Sequence, residues 1–321
     1  MLHKLLGSLR EFKRPAILTL FLMVGEAVIE TLIPFVTATR LVNAIQTKGD
    51  ALEIRDVLSV GLLLVAMACV SLACGGVAGF TSAKASSGFA RNLRHDVYEK
   101  IQTFSFTNID RFSTSSLVTR ITTDVNNVQM AFMMVIRTAV RSPLMLIFSV
   151  SMAAYMGGWL AATFAVIVPV LAFGLILVAR KAMPAFHRVF RKYDKLNESI
   201  EENVRGMRVV KGFVREEYEK EKFARAADEI CADFTKAERI VAFNTPLMNF
   251  CMYFNMIFIL LVGSFLAIAH PESGVRIGQL SALLTYGMAT LMSLMMLSME
   301  SLSSTGIPAI SFFSSTVRDE G

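Results

Sequence analysis

No Gly-Lys dipeptide occurs anywhere in the 321 residues, so the chain has no Gly-x4-Gly-Lys-Ser/Thr loop with which to cradle nucleotide phosphates. Cysteine is scarce, and Cys69, Cys74, Cys231 and Cys251 have neither metal-ligand nor disulfide spacing, so they read as packing residues. His3, His95, His187 and His270 show no ligand spacing either and are assigned no chemistry. Charge is sparse as well: 18% of residues are charged against 54% hydrophobic, which is too apolar for a soluble surface. The solvent must be largely lipid. No cleavable signal peptide is visible, because the first apolar run is too long and lacks a small-residue cleavage site; it is expected to act as its own insertion signal.

What is present is a series of long charge-free runs. A hydrocarbon core roughly 30 Å thick takes about 20 apolar residues per helix. Residues 57–80, 241–269 and 277–299 each fit one span without a charge. The run 142–179 is too long for one span and is interrupted by Gly157-Gly158 before Trp159, which predicts a tight hairpin of two helices. The first span, 17–38, carries Glu26, Glu30 and Pro34. Six spans follow, with both termini on one side. All Lys and Arg except Arg40, Lys48, Arg55 and Arg276 then share that side, which the positive-inside rule assigns to the cytoplasm. The formal net charge of +6 is thus explained by topology, and no nucleic-acid partner is expected. A voltage sensor is excluded because no span has regularly spaced arginines, and no Ser/His or Asp/Asp pair suits an intramembrane protease.

Residues 1–15 form a basic amphipathic segment, with Leu2, Leu5, Leu6, Leu9 and Phe12 at helical spacing, and are expected to lie as an elbow helix in the membrane interface. The connections 81–141 and 180–240 are far longer than neighbouring helices need. Helical periodicity with few glycines predicts that each is a helical stalk, reaching roughly 35 Å into the cytosol at about 1.5 Å per residue. At that distance Phe104, Phe106 and Phe112 have nothing to bury them but the other stalk or a partner.

Glu26 and Glu30, four apart, share a helix face. They are read either as cavity groups, for a cationic substrate or for proton handling, or as structural hydrogen-bonding groups. Arg137 and Arg141 also share a face and are expected to snorkel or to line the cytoplasmic entrance. Met248, Met252, Met292 and Met295 belong to a methionine-rich stretch of the last two spans that suits either a promiscuous apolar cavity or ordinary packing.

The segments from Phe104 through Ser113 and Thr114, from Leu117 to Val125, and from Glu202 to Phe213 together resemble the transmembrane domain of ATP-binding-cassette (ABC) exporters of the six-helix, multidrug type. The resemblance covers about residues 10–298 and implies an all-α integral membrane fold, with a transmembrane domain over 16–300. It implies that short coupling segments at the stalk tips seat in ATPase domains. The contact residues would be Phe104, Phe106, Thr107, Asp110, Arg111 and Phe112 at the first tip. Gly206, Arg208, Val210 and Phe213 would serve at the second. It further implies a second six-helix permease chain, small amphipathic substrates and a location in the plasma membrane. No cofactor is expected on this chain, since ATP and magnesium would sit on a partner ATPase domain. Two departures stand out. Ser115-Ser116 replaces the family's Gly-acid pair, and the segment 301–321 is an atypical polar tail with no nucleotide-binding domain and no Leu-Ser-Gly-Gly-Gln signature. The competing expectation is a truncated, non-transporting remnant or scaffold.

Overall fold

The computed structural model describes residues 7–42, 45, 54–103, 114–269 and 276–305. Every regular element among them is helical. α1 spans Lys13–Val36, α2 Ile54–Gln102, α3 Thr114–Thr119, α4 Val125–Met134 and α5 Val140–Gly157. α6 follows over Ala162–Arg205, α7 over Met207–Gly212, α8 over Glu216–Val241, α9 over Asn244–Ala269 and α10 over Ile277–Thr305. The first-tip residues Phe104, Phe106, Thr107, Asp110, Arg111 and Phe112 lie outside the described residues.

Five helical stretches are long and apolar enough to cross a membrane: Arg10–Val42, Ile54–Gln102, Leu117–Arg205, Glu216–Ala269 and Ile277–Met299. The third is broken at Gly158, whose φ of +48° ends α5 and would strain any side chain larger than hydrogen. With that break as a boundary, the stretch supplies two spans and the described residues hold six. Leu58, Leu62, Leu72 and Phe80 of α2 point outward, as lipid-facing residues should. α10 continues beyond Ser298 to Thr305, so the helix runs into the segment expected to be tail.

The chain divides into two compact units, Met1–Val168 with Met252–Gly321, and Pro169–Cys251. In the first unit, α1 and α2 run in opposite directions: Phe12 sits over Gly88, the hydroxyls of Thr19 and Thr81 meet at 2.8 Å, and Glu26 lies on Gly75. A lower core gathers Leu9, Ala85, Phe89, Leu93, Val125 and Ile136, with Phe89 and Phe132 rings 4.7 Å apart. A second core joins α5, α9 and α10 through Ala153, Met156, Ile259, Leu283 and Tyr286. The Tyr286 hydroxyl donates to the Thr31 carbonyl at 2.7 Å, tying α10 to α1.

The described part of the elbow segment, residues 7–15, holds a short 3-10 turn, Arg10–Phe12, just before α1 begins, and is clasped to the extension of α2. Ser8 Oγ and Arg10 Nη2 both donate to the Asp96 carboxylate, at 2.7 and 2.6 Å, and Asn92 Nδ2 donates to the Ser8 carbonyl at 3.0 Å.

In the second unit α6 and α8 pair antiparallel, because their partners advance in opposite senses. Phe186 meets Phe234, Lys192 meets Glu229 and Asp233, and Asn203 meets Glu219. This is a helical stalk built as the periodicity of 180–240 predicts.

Candidate functional site

Two places gather the chemistry flagged in the sequence. The first is a charge cluster where α1, α2 and α5 meet. Arg141 is the second residue of α5, just after a π-helical turn over Val135–Ala139, a feature that recurs at functional sites. Its Nη2 donates to both oxygens of Glu30, at 2.8 and 2.7 Å, and lies 3.6 Å from Glu26 Oε1. Arg141 therefore engages both acids, an arrangement more specific than snorkelling, while Arg137 on the π turn is exposed. The Arg141 side chain keeps 39% of its surface and Glu30 29%, whereas Glu26 keeps 12%.

Glu26 Oε2 is buried without a hydrogen-bond partner. Room for that carboxylate comes from Gly75, where a Cβ would lie 3.1 Å from both oxygens. Gly75 was not singled out as part of this site by its sequence. One clue was available: Arg141 immediately precedes a charge-free run, and Glu26 and Glu30 interrupt another, so a mutual pairing minimises unpaired charge in the spans.

The second place is the tip of the second stalk. α6 stops at Gly206, α7 occupies Met207–Gly212, and α8 begins at Glu216. Gly206 and Gly212 bracket this short helix, because glycine both ends helices cheaply and frees the chain to turn. Arg208 and the half-buried Val210 lie on this short helix and Phe213 caps it, with Phe213 76% and Val214 82% exposed. Val214 holds φ at +52°, in the left-handed region where a β-branched residue is strained by roughly 1–3 kcal/mol. Beneath the tip, α6, α7 and α8 enclose an open groove of about 790 Å³, with Leu196, Ile200, Val204, Met207, Val210 and Phe223 among its apolar lining.

Electrostatics fasten the stalk. The Asp233 carboxylate, followed by Glu229, raises Lys192 above its ordinary value of 10.5, and the Lys192 ammonium holds Asp233 below 3.8.

The methionines divide by burial. Met248 is buried, Met252 and Met295 are half-buried, and Met292 is exposed. Buried polar groups that sequence reading missed are Ser149, Asn255 and Thr290, each with a side-chain oxygen lacking a partner. Single polar residues inside apolar runs carry no periodic signal that would have marked them.

Comparison with known proteins gives the context. The family described as "ABC transporter transmembrane region" matches residues 16–295. An uncharacterized ABC transporter ATP-binding protein of Bacillus subtilis, YfiB, is 27% identical over 289 residues, covering 89% of this chain and 48% of that protein. An uncharacterized ABC transporter ATP-binding protein of Mycobacterium tuberculosis is 26% identical over 300 residues, covering 93% of this chain and 50% of its own length. An ATP-dependent lipid A-core flippase of Aromatoleum aromaticum is 26% identical over 215 residues, covering 66% of this chain and 35% of the flippase. The chain spans about half the length of the curated relatives it matches.

Proposed function

Because the chain belongs to the ABC transporter transmembrane-region family, we propose that it is the permease domain of an ATP-driven exporter. It moves amphipathic or hydrophobic molecules across the plasma membrane by alternating access. ATP and magnesium bind ATPase domains that these residues do not contain, and a second six-helix chain completes the pathway. Both termini lie in the cytoplasm, as the distribution of Lys and Arg supports.

The observation that carries this reading is the second stalk tip. A short helix presented on a stiff antiparallel helix pair, with Phe213 and Val214 exposed, is an apolar surface held away from the spans. Exposed apolar groups at the end of a rigid lever support docking to an ATPase domain, since a displacement there moves the helices instead of dissipating in a loop. The same role falls to Phe104, Phe106 and Phe112 at the first tip.

Truncating an interface anchor costs roughly 2–4 kcal/mol of docking. Phe213→Ala and Phe106→Ala are therefore expected to insert and bind substrate normally, with the ATPase domain supplied, yet to lose substrate-stimulated hydrolysis and transport together. Proteoliposome transport and ATPase assays read this, and wild-type values for both variants would remove the coupling assignment.

A further inference from the structure

Two carboxylates share one guanidinium at the junction of α1, α2 and α5. Arg141 spends its hydrogen bonds on Glu30, leaving Glu26 at 3.6 Å as the second partner. Among the described residues no other Lys, Arg or His pairs with either acid. From α2 the neighbouring titratable group is the Cys74 thiol beside Gly25, and from α10 it is the Tyr286 hydroxyl, committed to the Thr31 carbonyl. Two carboxylates and one guanidinium leave the cluster with a formal surplus of one negative charge inside apolar helices, where such charge is costly and marks function. It is localised by geometry: Glu26 Oε2 is buried, has no partner, and lies over the gap left by Gly75. Approach is from the Arg141–Glu30 side, which remains partly exposed.

We propose that Glu26, seated on Gly75 beside the Arg141–Glu30 pair, binds the single positive charge of a cationic amphipathic substrate. A monocation neutralises the cluster, whereas an anion would meet a surplus carboxylate and a dication would leave the opposite excess. The proposal rests on the exporter reading for its choice of substrate as the ligand, and it deepens that reading by naming the substrate's charge.

The test uses the chain with its ATPase domain in lipid nanodiscs. The probes are tetraphenylphosphonium, a permanent monocation, and the neutral dye N-phenyl-1-naphthylamine. Glu26→Gln is expected to weaken tetraphenylphosphonium at least about tenfold, with the neutral dye unchanged. Glu30→Gln should weaken it too, because Arg141 then balances Glu26. The double variant Glu30→Gln/Arg141→Gln restores a lone Glu26 charge and should restore binding. Gly75→Ala keeps every charge but crowds both Glu26 oxygens, so it should weaken the cation selectively and carries the test if a charge variant fails to fold.

Equal tetraphenylphosphonium affinity in wild type, Glu26→Gln and Gly75→Ala overturns the proposal, as does a folded double variant that fails to recover binding. ATP-driven transport of the neutral dye is read separately. If it persists while the cation results fail, the exporter reading stands and only the charge site falls.

Discussion

The molecule contains two related electrostatic clusters in opposite surroundings. In the spans, Arg141 lies between Glu26 and Glu30; in the stalk, Lys192 lies between Glu229 and Asp233. In each a cation faces two acids, but in the stalk Lys236, 3.4 Å from Asp233, supplies a second cation. In the stalk the second lysine balances the acids and water screens the pairs, as the 69% exposure of the Glu229 side chain allows, so they do little more than align two helices. In the spans Glu26 is largely enclosed, so the surplus charge has no solvent to spread into. A cation between two acids fastens helices in one place and makes the proposed cation site in the other, and the difference is made by Lys236 and by the surroundings.

Removing the cation should break the comparison most sharply. Arg141→Met leaves two acids in an apolar junction and is expected to destabilise the folded chain by about 2–3 kcal/mol, less than a fully buried pair because Arg141 is partly exposed. Unfolding in mixed detergent micelles measures this. Relief of backbone strain at the stalk tip comes next: Val214→Gly should stabilise the chain by about 1 kcal/mol in the same assay, since glycine holds a positive φ freely.

Lys192→Met should leave thermal stability within error, and any small effect should vanish in high salt. The weakest expected effect is on pH. Asp233 is depressed, so its contribution is present above the ordinary 3.8 and is lost as pH falls through its lower folded value. Lys192 is raised, so its contribution is full below 10.5 and is lost as pH rises through its higher folded value. Stalk pairing, followed by a spin-label distance between α6 and α8, should therefore be flat between those limits and loosen only outside them.

Much of this architecture is written in local pattern. Charge-free runs mark the spans, Gly157-Gly158 marks the break after α5, and Gly206 with Gly212 brackets α7, because lipid and helix termination act on neighbouring residues. The site is less legible because it depends on packing. The Arg141–Glu30 pair joins residues 111 apart in sequence, and Gly75 matters only once α2 lies against Glu26. The methionines were ambiguous for another reason: those of α10, from Met288 to Met299, share one helix face at spacings of three and four, and spacing alone does not tell lipid from interior.

The clasp between Ser8, Arg10 and Asp96 has a consequence for biogenesis. Arg10 leaves the ribosome 86 residues before its acidic partner, so the start of the chain waits unpaired while two spans are inserted. Only a second span that returns its far end to the side holding the N-terminus brings Asp96 within reach. The clasp can therefore close only in a chain whose second span has come back to the side of the first.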